Sequence, residues 1–249
     1  MKPSAVLQNL AVSLIERCNA ALDLDGLRGQ VLPLLTRGVP AEALFFAVAD
    51  PATSLHTRKY LDGLPRHLSP QFLDNEFHTD DVNKWVELAG AKRGVRTLHR
   101  ATNGRLEDSA RYRSILEPLG LGDELRAVIR VRGVCWGYMC LHRERRSVFT
   151  SAETRFVTQI VPHLAEAIRA ALLLGTVEQP DLEDAPGLVV LAADGSVLSV
   201  SPPAARWLDE LETPGNGLPH EFEVVAARLR GAERSIPRVH VRTRAGRWQ

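Results

Sequence analysis

The chain has 249 residues, 45% of them hydrophobic and 24% charged, the composition of an ordinary globular fold long enough for one large core or two modest ones. Thirty-one Lys and Arg face thirty Asp and Glu, a formal net charge of +1, which excludes a chain-wide electrostatic footprint for nucleic acid or membrane surfaces. Three cysteines and no leader-like N-terminus fit free thiols in a reducing compartment, and no apolar run nears the roughly 20 residues of a membrane span, so a cytoplasmic location is expected.

Val6, Leu7, Leu10, Leu14, Ile15, Cys18 and Leu22 recur at steps of three and four and predict a first helix with one apolar stripe. DLDGLRGQVLPLLTRG predicts a second, with Pro33 as a break or kink and Gly38 as its stop. The period then falls to two, and Ala43–Ala49 with Leu55–Tyr60 reads as a hairpin turning through Asp50-Pro51. From Leu64 to Leu116 the pattern is loop-rich. Short helices are expected there at Ser69–Glu76, Asp80–Ala89 and Ser109–Leu116, each opened by a residue that can cap it, with a strand at Val95–His99. Glu124–Arg132 and Cys135–His142 predict a second hairpin, with Gly133-Val134 as a type II′ turn and Arg132 opposite Cys135. Thr150 and Glu153 form a capping box that opens a long amphipathic helix carrying Phe156, Ile160, Leu164, Ile168 and Leu172, which Pro162 should kink. GTVEQPDLEDAPG is acidic and contains two prolines, the composition of a linker. Beyond it, GLVVLAADGSVLSVSPPAARWL predicts strand, Asp194-Gly195 turn, strand and helix, followed by a helix at Leu218–Gly231 and a strand at Arg238–Thr243.

The pairing of Arg132 with Cys135 would gather Ala127, Ile129, Val131, Trp136, Tyr138 and Cys140 on one face. The odd separation of Cys135 and Cys140 would set them on opposite sides of the sheet, unable to hold one ion together. Both read as small buried hydrophobes; the alternative is a redox-sensing thiol at Cys135, beside Arg130 and Arg132. His78, Asp80 and Asp81 read as a helix cap with an acidic first turn or, alternatively, as a ligand cluster. His56, His67, His99 and His163 show no HxxxH spacing, and GxGxxG, GxxxxGK and GxSxG patterns are missing. No metal, no cofactor and no catalytic residue is therefore expected, and an enzyme is the outlying reading. Arg228–Gln249 holds seven arginines against one glutamate, either a solvated face or a salt-sensitive, nonspecific nucleic-acid contact.

HRATNGRLEDSARYRSILEPLGLGDELRAVI, CWGYMCLHRERRSVFTSAETRF and VPHLAEAIRAALLL resemble the GAF-like sensor region of LuxR-type helix-turn-helix transcriptional regulators. PGLVVLAADGSVLSVSPPAARWLDEL resembles the PAS-like segment that follows in those regulators. The resemblance implies an α+β fold: a GAF-like domain over 1–174 with an antiparallel sheet and flanking helices, a linker at 175–186, and a partial PAS-like α/β segment over 187–249. It also implies the sensory and dimerisation portion of such a regulator, with an unknown small ligand held between the sheet and residues 64–116. The pocket walls would be drawn from Phe46, Val48, Trp85, Leu98, Ile129, Trp136 and Tyr138. The alternative is a protein-interaction scaffold with no small ligand. DNA would be met only through a C-terminal helix-turn-helix domain not present in this chain, which stops inside the expected PAS-like sheet. A homodimer is expected through the helix 151–174, with Ile168, Leu172 and Leu173 as contacts, because its apolar positions exceed the stripe of about 100° that packing on one sheet needs. The alternative cover for that surplus is the PAS-like segment of the same chain.

Overall fold

The computed structural model describes residues 3–20, 22–174, 188–192, 194–211, 218–229 and 237–241. Helices α1 (Pro3–Cys18) and α2 (Leu24–Gly38) lead into strands β1 (Ala43–Ala49) and β2 (His56–Asp62). Short elements follow: α3 (Ser69–His78), α4 (Trp85–Gly90), β3 (Val95–Thr97) and α5 (Leu98–Ala101). Then come the hairpin β4 (Leu121–Val131) and β5 (Val134–Glu144) and the long helix α6 (Ser151–Leu174). The C-terminal part has β6 (Val189–Leu191), β7 (Val197–Val200), α7 (Pro202–Glu210) and α8 (His220–Leu229). The alternating stretches pair into one five-stranded sheet, ordered β2-β1-β5-β4-β3 and antiparallel throughout, while β6 and β7 form a separate pair.

The main core lies between one face of the sheet and the three long helices. Leu44 and Val48 of β1, Leu125, Ala127 and Ile129 of β4, and Met139 and Leu141 of β5 meet Val157, Ile160, Leu164 and Ile168 of α6. Each fully buried Val, Leu, Ile or Met side chain among them contributes about 1.5–3 kcal/mol. The surplus apolar surface of α6 is covered within the chain by α1 and α2, through Ala11, Leu14, Val31 and Leu35. Ile168 is 1% and Leu172 6% exposed, so both expected dimer contacts are spent on the chain's own core; the side chain of Leu173 lies outside the described residues. The capping box forms as the sequence requires: Glu153 N donates to Thr150 Oγ1 at 3.2 Å and Thr150 N donates to Glu153 Oε2 at 2.8 Å. The helix continues through Pro162 as one element.

The β4–β5 hairpin departs from the predicted register. Arg132 and Gly133, at φ of 52° and 80°, form the turn, and Val131 pairs with Val134. A bulge between Ile129 and Arg130 then leaves Trp136 as an extra residue on β5, so that Val128 faces Tyr138 and Ala127 faces Met139. A one-residue change of register exchanges the faces. Trp136, Val131, Ile129 and Ala127 thus join the helix-side core, while Tyr138 and Cys140 point the other way with Cys135. The bulge cancels the odd spacing of the two cysteines and brings them to the same side. Where β1 and β5 run closest, a Cβ on Gly137 would come within 2.5 Å of Ala47 O, which only glycine avoids.

Three other expectations shift. The helix predicted from Asp80 starts only at Trp85, because the Asp81 carboxylate is engaged by Val82 N, Asn75, Ser109 and Arg111 N. The helix predicted from Ser109 is a five-residue π-type turn, Tyr112–Leu116. Residues 237–241 are irregular where a strand was expected, and the rest of that stretch, with the linker at 175–186, lies outside the described residues. Helix α8 packs Val224 and Ala227 on Leu55 and Leu73, at the mouth of the sheet's second face. Among the described residues, no helix is long and apolar enough to cross a membrane.

Candidate functional site

Alternation along the central strands sends Phe45 of β1, Glu124, Arg126 and Val128 of β4, and Tyr138, Cys140 and His142 of β5 to the face away from α6. The loop-rich segment 64–116 covers this face, with Ser69, Phe72, Leu73 and Glu76 from α3 and Trp85 from α4. Between cover and sheet lies a cavity of about 50 Å³, space for a few waters, with His220 of α8 and Lys59 of β2 at its edge. Aromatic rings surround it. The His56 ring centroid lies 4.7 Å from that of Tyr138 and 5.4 Å from that of Phe45, and Trp85 lies 4.7 Å from Tyr138.

A buried ion network ties cover to sheet. Arg111 is 0% exposed; its Nε and Nη2 donate to Glu124 Oε2 at 3.0 and 2.7 Å, and its Nη1 donates to Asn75 Oδ1 at 2.9 Å. Arg126 Nη1 donates to Glu76 Oε2 at 2.8 Å, and its guanidinium lies 4.4 Å from the Trp85 ring centroid. Glu76 in turn accepts Trp85 N at 2.6 Å, which fixes the start of α4. Burial alone would raise the Glu124 carboxyl, but Arg111 and Arg126 outweigh it and hold it down at about 2. Relative to apolar packing such a network adds little stability, but removing one partner leaves a buried charge uncompensated.

The histidines around the cavity behave differently. Burial, aided by the nearby His220, Arg126 and Lys59, keeps His56 neutral well below its usual range. Burial likewise pulls His142 down to about 4 against the attraction of Glu124, and lowers His220 against that of Glu223. His56 Nδ1, both ring nitrogens of His142 and His220 Nε2 are buried without a hydrogen-bond partner, and so is Glu124 Oε1. The other nitrogen of His220 is engaged, its Nδ1 lying 2.9 Å from Lys59 Nζ and 3.2 Å from Glu223 Oε2. Glu124, Cys140 and His142 also bring a carboxylate oxygen, a sulfur and a ring nitrogen within 4.8 Å of one another, the only group of three or more such donors among the described residues.

Of the seven wall residues expected from sequence, Trp85 lines the cavity and Tyr138 packs against it. Leu98 is buried in a neighbouring cluster with Tyr112 and Leu116. Phe46, Val48, Ile129 and Trp136 lie on the opposite face, in or against the helix-side core. Cys135 is no activated thiol: burial pushes it up more than Arg130 lowers it. His78 sits at the end of α3, 3.1 Å from Asp74, apart from the buried Asp81. Sequence reasoning missed Arg111, Glu124, Arg126 and His142. The available signal was the charged pair Glu124 and Arg126, two residues apart in a strand, which alternation puts on one face.

The sheet thus carries a helical core on one side and a roofed cavity on the other. The chain belongs to the GAF domain family, whose sequence profile matches residues 11–168. The GAF domain of a phosphoenolpyruvate-protein phosphotransferase from Coxiella burnetii superposes with a TM-score of 0.50 at 18% identity, covering 70% of this chain and 98% of that one. The GAF domain of the Acinetobacter phosphoenolpyruvate-protein phosphotransferase gives 0.48 at 13% identity, covering 69% and 97%. The first of these is a likeness of fold. No curated protein matches the chain. GAF domains are generally sensory and regulatory modules, and residues 11–168 of this chain form one.

Proposed function

We propose that this chain is the sensory portion of a LuxR-type transcriptional regulator, in which a small polar ligand enters the cavity between the sheet and residues 64–116 and is read out through α8. The observation that carries the reading is the set of buried, unpartnered ring nitrogens of His56, His142 and His220 around one cavity. Polar groups kept dry without partners cost free energy, which a ligand offering complementary donors and acceptors would recover. Helix α8 lays His220 over the mouth, its ring centroid 6.2 Å from that of His56, so a ligand larger than the present cavity has to move it. That displacement gives occupancy a route to the chain beyond the acidic segment at 175–186. DNA contact would belong to a helix-turn-helix domain outside these residues, as the sequence resemblance implies, and a homodimer would use a face other than that of Ile168 and Leu172.

The volume of about 50 Å³ favours a second reading, a scaffold that holds no small ligand. Thermal-shift measurements on the full chain with imidazole, phenol and adenine as probes separate the two. A binder at a hundredfold excess over Kd adds about 2.7 kcal/mol. Ser69→Trp, which fills the mouth, should remove the response and leave the unliganded fold intact. A Tm indifferent to every probe would favour the scaffold.

A further inference from the structure

Cys140 and His142 lie two residues apart on β5 and share a face, and the register sets His142 directly opposite Glu124 of β4. Their three donor atoms are all buried and within 4.8 Å of one another. The spacing that excludes a joint site for Cys135 and Cys140 in the sequence does not touch this group, because its third member arrives from the neighbouring strand. Thiolate, imidazole and carboxylate together suit a borderline divalent transition ion, and drawing the donors in by about 1 Å reaches bonds of about 2.0–2.3 Å.

Two further observations point to a cation. Arg111 and Arg126 hold only Oε2 of Glu124, at 2.7 and 3.2 Å, while Oε1 and both ring nitrogens of His142 have no partner. The connected network also contains three carboxylates, Glu76, Asp81 and Glu124, against the two guanidinium groups of Arg111 and Arg126, a buried net charge of −1. A divalent ion bound to a Cys140 thiolate adds one positive charge and brings the cluster to neutrality.

We propose that Glu124, Cys140 and His142 form a three-ligand site for a divalent transition ion of the zinc and cobalt class, with its fourth position open to the cavity that Cys140 and His142 line. On binding, the Cys140 S–H bond breaks, its electron pair goes to the metal and the proton leaves to solvent. No electron is transferred. The site shares His142 and the cavity with the organic-ligand reading, and titration with metal alone, without any organic probe, tests it separately.

The test is cobalt titration of the full chain after chelator treatment and dialysis. One equivalent per chain should bind, with a thiolate-to-cobalt charge-transfer band in the near ultraviolet that zinc abolishes by displacement. Cys140→Ser should lose the band, and His142→Ala should weaken binding by more than about 100-fold, beyond what loss of an outer partner costs. Cys18→Ser and Cys135→Ser should keep both. X-ray absorption at the zinc edge on the unmodified protein needs no variant to fold, and should show one sulfur among nitrogen and oxygen neighbours. Absence of the band, its survival in Cys140→Ser, or a zinc shell with no sulfur or more than one overturns the site.

Discussion

Replacing Arg111 by methionine keeps most of the side-chain volume and removes the guanidinium that joins the cover to the sheet. The change deprives Glu124 of two hydrogen bonds, Asn75 Oδ1 of one and the half-buried Val82 O of one at 3.3 Å, around an Arg111 side chain that is itself fully buried. Breaking a buried ion pair from one side costs about 3–5 kcal/mol, because the remaining charge stays buried. Each stranded neutral acceptor adds a further cost that relaxation partly removes. A loss of about 4 kcal/mol is expected, which lowers Tm by roughly 8–16 °C for a domain of this size. Arg111→Met combined with Glu124→Gln should recover about 2 kcal/mol, since the second change removes the stranded charge. Urea denaturation followed by circular dichroism in metal-free buffer reads all three proteins. A single-variant loss below about 1 kcal/mol, or strictly additive effects, would refute the network as the link between cover and sheet.

His56 gives a pH dependence of known sign. Its folded-state pKa is depressed below 6.5, so its contribution is complete above pH 6.5 and declines as the pH falls below that value, where the unfolded chain takes up the proton first. His56→Phe keeps the ring packing against Phe45 and Tyr138 and should make the stability profile between pH 7 and 5 shallower, with His142 and His220 keeping the remaining slope, measured by urea midpoints; an unchanged slope would contradict a neutral, buried His56. Ile168→Ala should cost about 2–5 kcal/mol as a core truncation without changing the sedimentation mass, whereas a lighter species with undiminished stability would restore this face of α6 to a dimer interface.

Elements with local periodicity were legible in the sequence, and contacts set by register were not. The stripe through Phe156, Ile160 and Leu164 and the Thr150–Glu153 box define α6 without reference to anything else. The second hairpin is decided by which two residues turn. Glycine at the first turn position looks preferable, yet Arg132 takes a φ of 52° there, and the bulge at Trp136 then assigns the faces. The cover has no period to read, so nothing in the sequence says that Glu124 and Arg126 are roofed rather than solvated. Arg111 falls in a π-type turn region that resembles an ordinary amphipathic helix until its 0% exposure is known. The sequence also counts apolar surface on α6 without saying what covers it, and α1 does so from the other end of the domain.

Hydrogen exchange of the full chain, with and without a probe that raises Tm saturably, tests the cavity and its α8 closure most directly. Occupancy should slow the amides of Trp85–Gly90 in the cover and speed those of His220–Leu229 as α8 gives way. A saturable binder that leaves both segments unchanged, or protects a different part of the chain, would contradict a sensory cavity read out through α8.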